Sequence, residues 1–204
     1  MPSGRAESTA FSRDKPVANA PTKEPRSSAR DVILDAAERV VERDGAGRLT
    51  IDAVVRESGF SKGGVLYNFP SKLDLIKGMV ARIVDAVHCD VELARKEARE
   101  QGHSELSALI RTACEKEPHS QKFMMGLLAA AAEHPELLDP VRGLMTQMRD
   151  DLLANASDPD LARIVFLAVD GLHFADLLGM DFLSPDERAR VEARLVDLIS
   201  EPKS

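Results

Sequence analysis

The stretch SKGGVLYNFPSK, residues 61–72, collects groups suited to an extended polyanion. Lys62 and Lys72 bring cations. Tyr67, the only tyrosine in the chain, and Asn68 end in polar tips, and Gly63 and Gly64 leave bare backbone between them. A glycine costs roughly 1 kcal/mol in a helix interior relative to alanine, so two in succession serve something other than local stability. Backbone without side chains can approach base edges or phosphates more closely than any other surface. Val65 and Phe69, four apart, share one helical face and can point back to a core. The chemistry this pattern suits is non-covalent contact with a DNA double helix.

Covalent chemistry has little to build on. A Gly-rich phosphate loop between strand and helix, a nucleophile elbow and a paired metal motif are all missing from the sequence, which argues against an enzyme. Asp170, His173 and Asp176 recur every three residues and imitate a metal site. No second cluster completes a coordination sphere, so neither a metal nor another cofactor is expected; a buried polar network or the polar group of a pocket is the other reading. Cys89 and Cys114 lack CxxC spacing and read as buried, inert thiols.

The elements that must position residues 61–72 are helices. Residues 1–27, rich in Pro, Ser, Ala and charge without an apolar period, read as a disordered tail whose Arg26, with Arg30 just beyond it, can reach a phosphate or stay solvated. Ser28 with Asp31 begins a first helix with the apolar stripe Ile33, Ala37, Val40 and Val41, and DGAG at 44–47 stops it. Thr50 caps a second helix that Gly59 ends, Ser61 a third that Pro70 ends, and Ser71 a long fourth that Gly102 closes. Further helices are expected at 105–117, 120–132, 136–155, 159–179 and 185–200, the last behind the full capping box SPDE at 184–187. No period-2 alternation and no internal repeat interrupts the series. The fold class is all-α, with about nine helices.

Two short helices joined by a tight Gly turn and packed on a third make a helix-turn-helix. Residues 49–72, LTIDAVVRESGFSKGGVLYNFPSK, closely resemble the DNA-binding module of the TetR family of transcriptional regulators. The shared pattern is a Thr-capped helix, a Gly-hydrophobic turn, Ser-Lys-Gly, Tyr-x-Phe, and a Lys opening the next helix; it covers roughly residues 28–78. The resemblance implies a helix-turn-helix domain over 28–73 and an effector-binding and dimerisation domain over 74–204, joined by the fourth helix. It implies that Thr50, Ser61, Tyr67, Asn68 and Lys72 meet phosphates, and that Lys62, Gly63, Gly64 and Leu66 face bases in the major groove. For Lys72 the physics agrees, because it begins a helix whose N–H groups and dipole favour a phosphate. Leu66 and Asn68 depart from the family, where an aromatic or polar reader and a His are common. Leu66 can touch a thymine methyl or join the core.

Composition sets the limits. The 44% apolar content of 204 residues supports a buried core, and no run approaches the ~20 apolar residues of a membrane span. With no signal peptide visible, the chain reads as soluble and cytoplasmic. Residues 1–78 carry 13 Lys and Arg against 11 Asp and Glu, and residues 79–204 carry 14 against 23. A protein with net charge −7 binds DNA only through a local basic face.

In the C-terminal half, Ala168, Gly171, Leu172, Ala175 and Gly179 make a seam of mostly small residues. With Val191, Leu195 and Leu198 of the last helix it suits a four-helix homodimer interface, or else tight packing within the chain. Met124, Met125, Met145 and Met148, near Phe123, can line an adaptable pocket or fill a core. An effector pocket is expected from Met79, Ile83, Phe123, Met124, Leu127, Leu128, Met145 and Met148, with Asp170 and His173 as its polar groups. Asp170, Asp176 and Glu133 near such a cavity favour an apolar, cationic small molecule over an anionic one. The resulting expectation is a homodimeric, ligand-responsive DNA-binding regulator, a repressor acting at a near-palindromic operator. The rival readings are an enzyme and a helical carrier that binds no DNA.

Overall fold

The structure is a computed structural model that describes residues 28–115 and 120–200. The 1–27 tail with Arg26 lies outside the described residues. Among those described, nine α-helices and no strand form the fold: α1 (Ala29–Asp44), α2 (Ile51–Ser58), α3 (Lys62–Asn68), α4 (Lys72–Gln101), α5 (Glu105–Glu115), α6 (Gln121–Glu133), α7 (Asp139–Asn155), α8 (Pro159–Leu178) and α9 (Pro185–Ser200). None is long and apolar enough to cross a membrane.

The caps lie where local chemistry puts them. Ser28 and Asp31 close a reciprocal capping box, Thr50 accepts from the Ala53 amide, Ser61 from Gly64 and Ser71 from Asp74. Gly45, Gly59, Gly102 and Gly179 end their helices at φ between 65° and 87°, a region that glycine enters without a Cβ penalty. The helix expected from residue 136 instead opens with a 3-10 turn, Pro135–Leu138. Pro140 has no N–H to offer the Glu136 carbonyl, so the α-helix proper begins at Asp139.

Two apolar cores hold the helices together. The first joins α1 to α4, with Ile33, Val40, Val54, Val65, Phe69, Leu75 and Met79 wholly buried, and extends to Phe123, Leu127 and Ala131 of α6. The second gathers Leu106, Ile110, Leu152, Ala162, Val165, Val169 and Leu195 from α5, α7, α8 and α9. The helix-turn-helix is seated by a close approach on α4. A Cβ on Gly78 would stand 2.8 Å from the Phe69 ring and 2.9 Å from Leu34, so glycine there makes room for Phe69. Arg30 covers the outer side of that ring at 4.2 Å and donates to the Asn68 carbonyl at 3.2 Å, fixing the end of α3.

Further contacts from α4 and α6 fasten these two helices to α1 and the turn after it. On α4, Arg82 bridges Asp35 at 2.5 Å and Glu38 at 2.6 Å, both on α1. On α6, Lys122 donates to the Arg43 carbonyl at 2.6 Å, and Gly126 lies so near the turn at Ala46–Arg48 that a Cβ would sit 2.8 Å from that of Ala46.

Candidate nucleic-acid interface and inner cavity

α3 is half buried by design of its sequence. Val65 and Phe69 are wholly buried, while Lys62, Gly63, Leu66 and Tyr67 are exposed, Tyr67 to 89%. Leu66 therefore faces outward, which removes the core reading. Neither glycine of the pair has positive φ. A Cβ on Gly63 would meet nothing within 4 Å, and one on Gly64 only the Ser61 hydroxyl at 3.3 Å and Phe60 at 3.6 Å. Packing within the chain explains Gly78; it does not explain Gly63.

The cations sort themselves by position. Arg39 and Arg43 are held by Glu57 at 2.9 and 2.8 Å, away from α3. Among the described residues Arg30, Arg48 and Lys72, which border α3 and the start of α4, form no close ion pair, although the charge of Arg30 is felt by Asp31. Lys72 reaches the Gly47 carbonyl at 3.5 Å, so Arg48 and Thr50 stand on the same edge. Arg48 was not singled out by sequence reasoning, because an arginine in a turn carries no pattern of its own. Lys62 is the exception: it pairs with Asp52 at 2.9 Å, both side chains about 60% exposed. That hydrogen bond and the lysine's charge hold the Asp52 carboxyl below its usual range. The Asn68 amide donates to Gly64's carbonyl at 2.9 Å, which leaves its other N–H for a phosphate.

Behind this edge, α4 to α8 enclose a cavity of about 510 Å³, within the size range of small-molecule sites. Ile83, Met124, Leu127, Leu128, Met145, Met148, Asp170 and His173 line it. Met79 and Phe123 do not: both are buried in the first core, because their sides of α4 and α6 face that core rather than the cavity. Glu133 is not in the wall either, whereas Asp90, Arg95 and Asp176 are. Arg95 is taken by Asp151 at 2.6 Å and Glu92 at 3.0 Å, and Asp176 by Arg188 at 2.7 Å. His173 Nε2 lies 3.0 Å from the Ala113 carbonyl, a polar contact between helices. Asp170 is the wall's one acid without a partner among the described residues. Cys89 is exposed and Cys114 half-buried, and neither is in a disulfide, so the buried reading fails for Cys89.

The small-residue seam is largely internal. Ala175 and Leu195 are buried and Ala168, Leu172 and Leu198 pack on the second core, while Gly179 serves as the α8 cap. Of the expected interface residues, Gly171, Gly179 and Val191 are the exposed ones. The open face of α8 instead carries Ile164, Leu167, Phe174 and Leu178, exposed by 62, 66, 57 and 37%, with Gly171 between them. At about 100° per residue this stripe is displaced roughly 80° around the helix from the seam, less than one residue step.

Comparison with known proteins places this geometry. Residues 33–79 match the model of bacterial regulatory proteins of the tetR family, and residues 103–200 that of the tetracyclin repressor-like C-terminal domain. The fold is similar to that of the multidrug binding protein EbrR complexed with malachite green, at 23% identity and TM-score 0.63, covering 86% of this chain and 99% of that one. It is also similar to a TetR-family member from Streptomyces coelicolor A3 (25% identity, 86% and 99% covered, TM-score 0.64). A third is a transcriptional regulator from Rhodococcus sp. Rha1 (20% identity, 84% and 96% covered, TM-score 0.63). No curated protein matches the sequence. Regulators of this family bind operator DNA, form dimers and bind small-molecule ligands. With its helix-turn-helix and its C-terminal half both matched, the chain belongs to the TetR family of transcriptional regulators.

Proposed function

We propose that this regulator is a repressor, held on a near-palindromic operator as a homodimer and released by an apolar, cationic small molecule. The observation that carries the proposal is the double duty of α4 and α6. Each presents one face to the cavity and another to the core that seats α3. α4 runs from Lys72 at the DNA edge to Asp90 and Arg95 in the cavity wall, and α6 grips α1 through Lys122 and Gly126. An effector that spreads these helices moves the two recognition helices of a pair out of the ~34–36 Å spacing of successive major grooves. To shift the DNA-competent population from 99:1 to 1:99 it must prefer the other state by ~5.5 kcal/mol.

The effector class follows from the wall. Its surface is mostly apolar, its sole cation is already paired twice, and Asp170 stands unpartnered at its edge. An apolar cation satisfies both features at once. The multidrug binding protein EbrR, which shares this fold, forms complexes with malachite green, ethidium and proflavin, so ethidium and proflavin are suitable probes. Asp170→Asn keeps the shape and removes the charge. Because Asp170 is exposed and screened, ethidium affinity is expected to fall only about three- to tenfold, with the uncharged parent phenanthridine unaffected. Equal losses for both compounds in a fluorescence titration would show that shape, not charge, was altered.

The deciding experiment is a gel shift on the DNA upstream of the protein's own coding region, with and without malachite green, a propeller-shaped cation that does not slot between base pairs as ethidium does. A specific shift that malachite green abolishes is the expected result; no shift at any salt concentration removes the DNA-binding role. Lys72→Ala should weaken binding to every sequence and flatten the slope of log K against log salt by about one unit. A changed base preference with an unchanged slope would place Lys72 at a base instead of a phosphate.

A further inference from the structure

We infer that a second copy of the chain completes the effector cavity, with Phe174 as the side chain shared between cavity wall and dimer face; this rests on the ligand-responsive reading above. The circumference of α8 divides into three arcs. Ala162, Val165, Ala168 and Leu172 turn to the second core. Phe166, Val169, Asp170, His173 and Leu177 turn to the cavity. Ile164, Leu167, Gly171 and Leu178 are left open.

Phe174 falls on the boundary between the last two arcs: it lines the cavity, yet 57% of it is exposed. At about 100° per residue, Phe174 and Asp170 lie on adjoining lines of the helix, so the cavity edge and the open stripe are neighbours.

The occupant of the stripe is a second copy. Positions 164, 167, 171, 174 and 178 alternate spacings of three and four, the seam that two helices share when they pack along one another. A two-fold pair presents the same stripe from both sides, so one apolar stripe suffices for an isologous interface. Gly171 at its middle has nothing within 4 Å of where a Cβ would be, leaving space for a partner helix to approach closely. Ring and leucine surface at 57 and 66% exposure is too apolar to be left in water on a protein whose family forms dimers.

A shared Phe174 has a thermodynamic consequence. In a single copy its ring is held on the cavity side only, so the wall is incomplete at that edge. Pairing fixes the ring, and by linkage an effector that needs the fixed ring must strengthen pairing by the factor by which pairing strengthens the effector.

The test uses the full chain and ethidium, followed by the dye's own fluorescence. Leu167→Arg and Ile164→Glu change exposed stripe positions that do not line the cavity, and both should yield monomers by light scattering with the helical circular dichroism retained. Ethidium affinity is expected to fall at least tenfold in both. Since the chain has no tryptophan, Phe174→Trp supplies a single reporter. Its emission should lie to the blue in the pair and move to the red when Leu167→Arg is added. Unchanged ethidium affinity in either monomer overturns the inference, as does a variant pair that stays dimeric. Failure of the unsubstituted protein to bind ethidium or proflavin at all is a different result: it takes away the effector reading itself, and this inference with it.

Discussion

Gly63→Leu should fold at least as well as the parent and lose operator affinity by about 100-fold or more. The two halves of this expectation come from independent observations. In the folded chain a Cβ at position 63 meets nothing within 4 Å and the backbone there is ordinary helix, so nothing internal resists a side chain. Leucine is a better helix former than glycine, and the change is worth up to about 1 kcal/mol in favour of folding, less in a first turn. Against DNA the same side chain stands between α3 and the groove floor. A helix in the major groove is held by contacts that fail when it is lifted by the width of an isobutyl group, and about 2.7 kcal/mol of lost contact is 100-fold in affinity. Gly64→Leu is the less clean substitution, since its Cβ crowds the Ser61 hydroxyl that caps the helix. Thermal melting together with a gel shift reads both halves. Operator binding that survives in a stable Gly63→Leu protein would leave the glycine pair without its explanation.

The helix-turn-helix was legible because its signals are local. Caps, glycine stops and the proline after α3 act over three or four residues, and the apolar spacing of Val65 and Phe69 fixes which side of α3 is buried. What escaped the sequence depends on which helix lies opposite. Met79 and Phe123 have the size and softness of cavity residues, yet both belong to the first core, and a single chain of letters does not say which side of a two-faced helix meets which neighbour. Gly78 carries no signal of its own in the sequence, and its reason is the Phe69 ring packed against it. The pairing of Lys62 with Asp52 is likewise invisible, since the two residues belong to different helices with no sequence register between them. Small residues on α8 suggested a close partner helix; Ala168 and Leu172 pack on the chain's own second core and Ala175 is buried within the chain, while the exposed large residues lie on the neighbouring face of the helix.

That displacement gives Gly171→Arg and Ala175→Arg opposite physical meanings, although both should abolish operator binding. Gly171 lies on the open stripe with no atoms around its missing Cβ, so an arginine there is solvated in the single copy and buried without a counter-charge only when two copies meet. The expected outcome is a well-folded monomer. Since a specific complex needs both half-sites, its operator affinity should drop toward the nonspecific level, roughly 1,000-fold or more. Ala175 is buried within the chain, where an arginine has neither room nor a partner. That variant should lose its fold, with a melting transition far below the parent's or none, and its failure to bind DNA would say nothing about pairing. Gly171→Ala supplies the control: a methyl group on the stripe fits between two helices and should leave both dimer and operator binding in place. Light scattering, melting and gel shift on the three proteins decide the matter together. A Gly171→Arg protein that remains a dimer would move the interface off α8, whereas a folded, monomeric Ala175→Arg would return it to the small-residue seam.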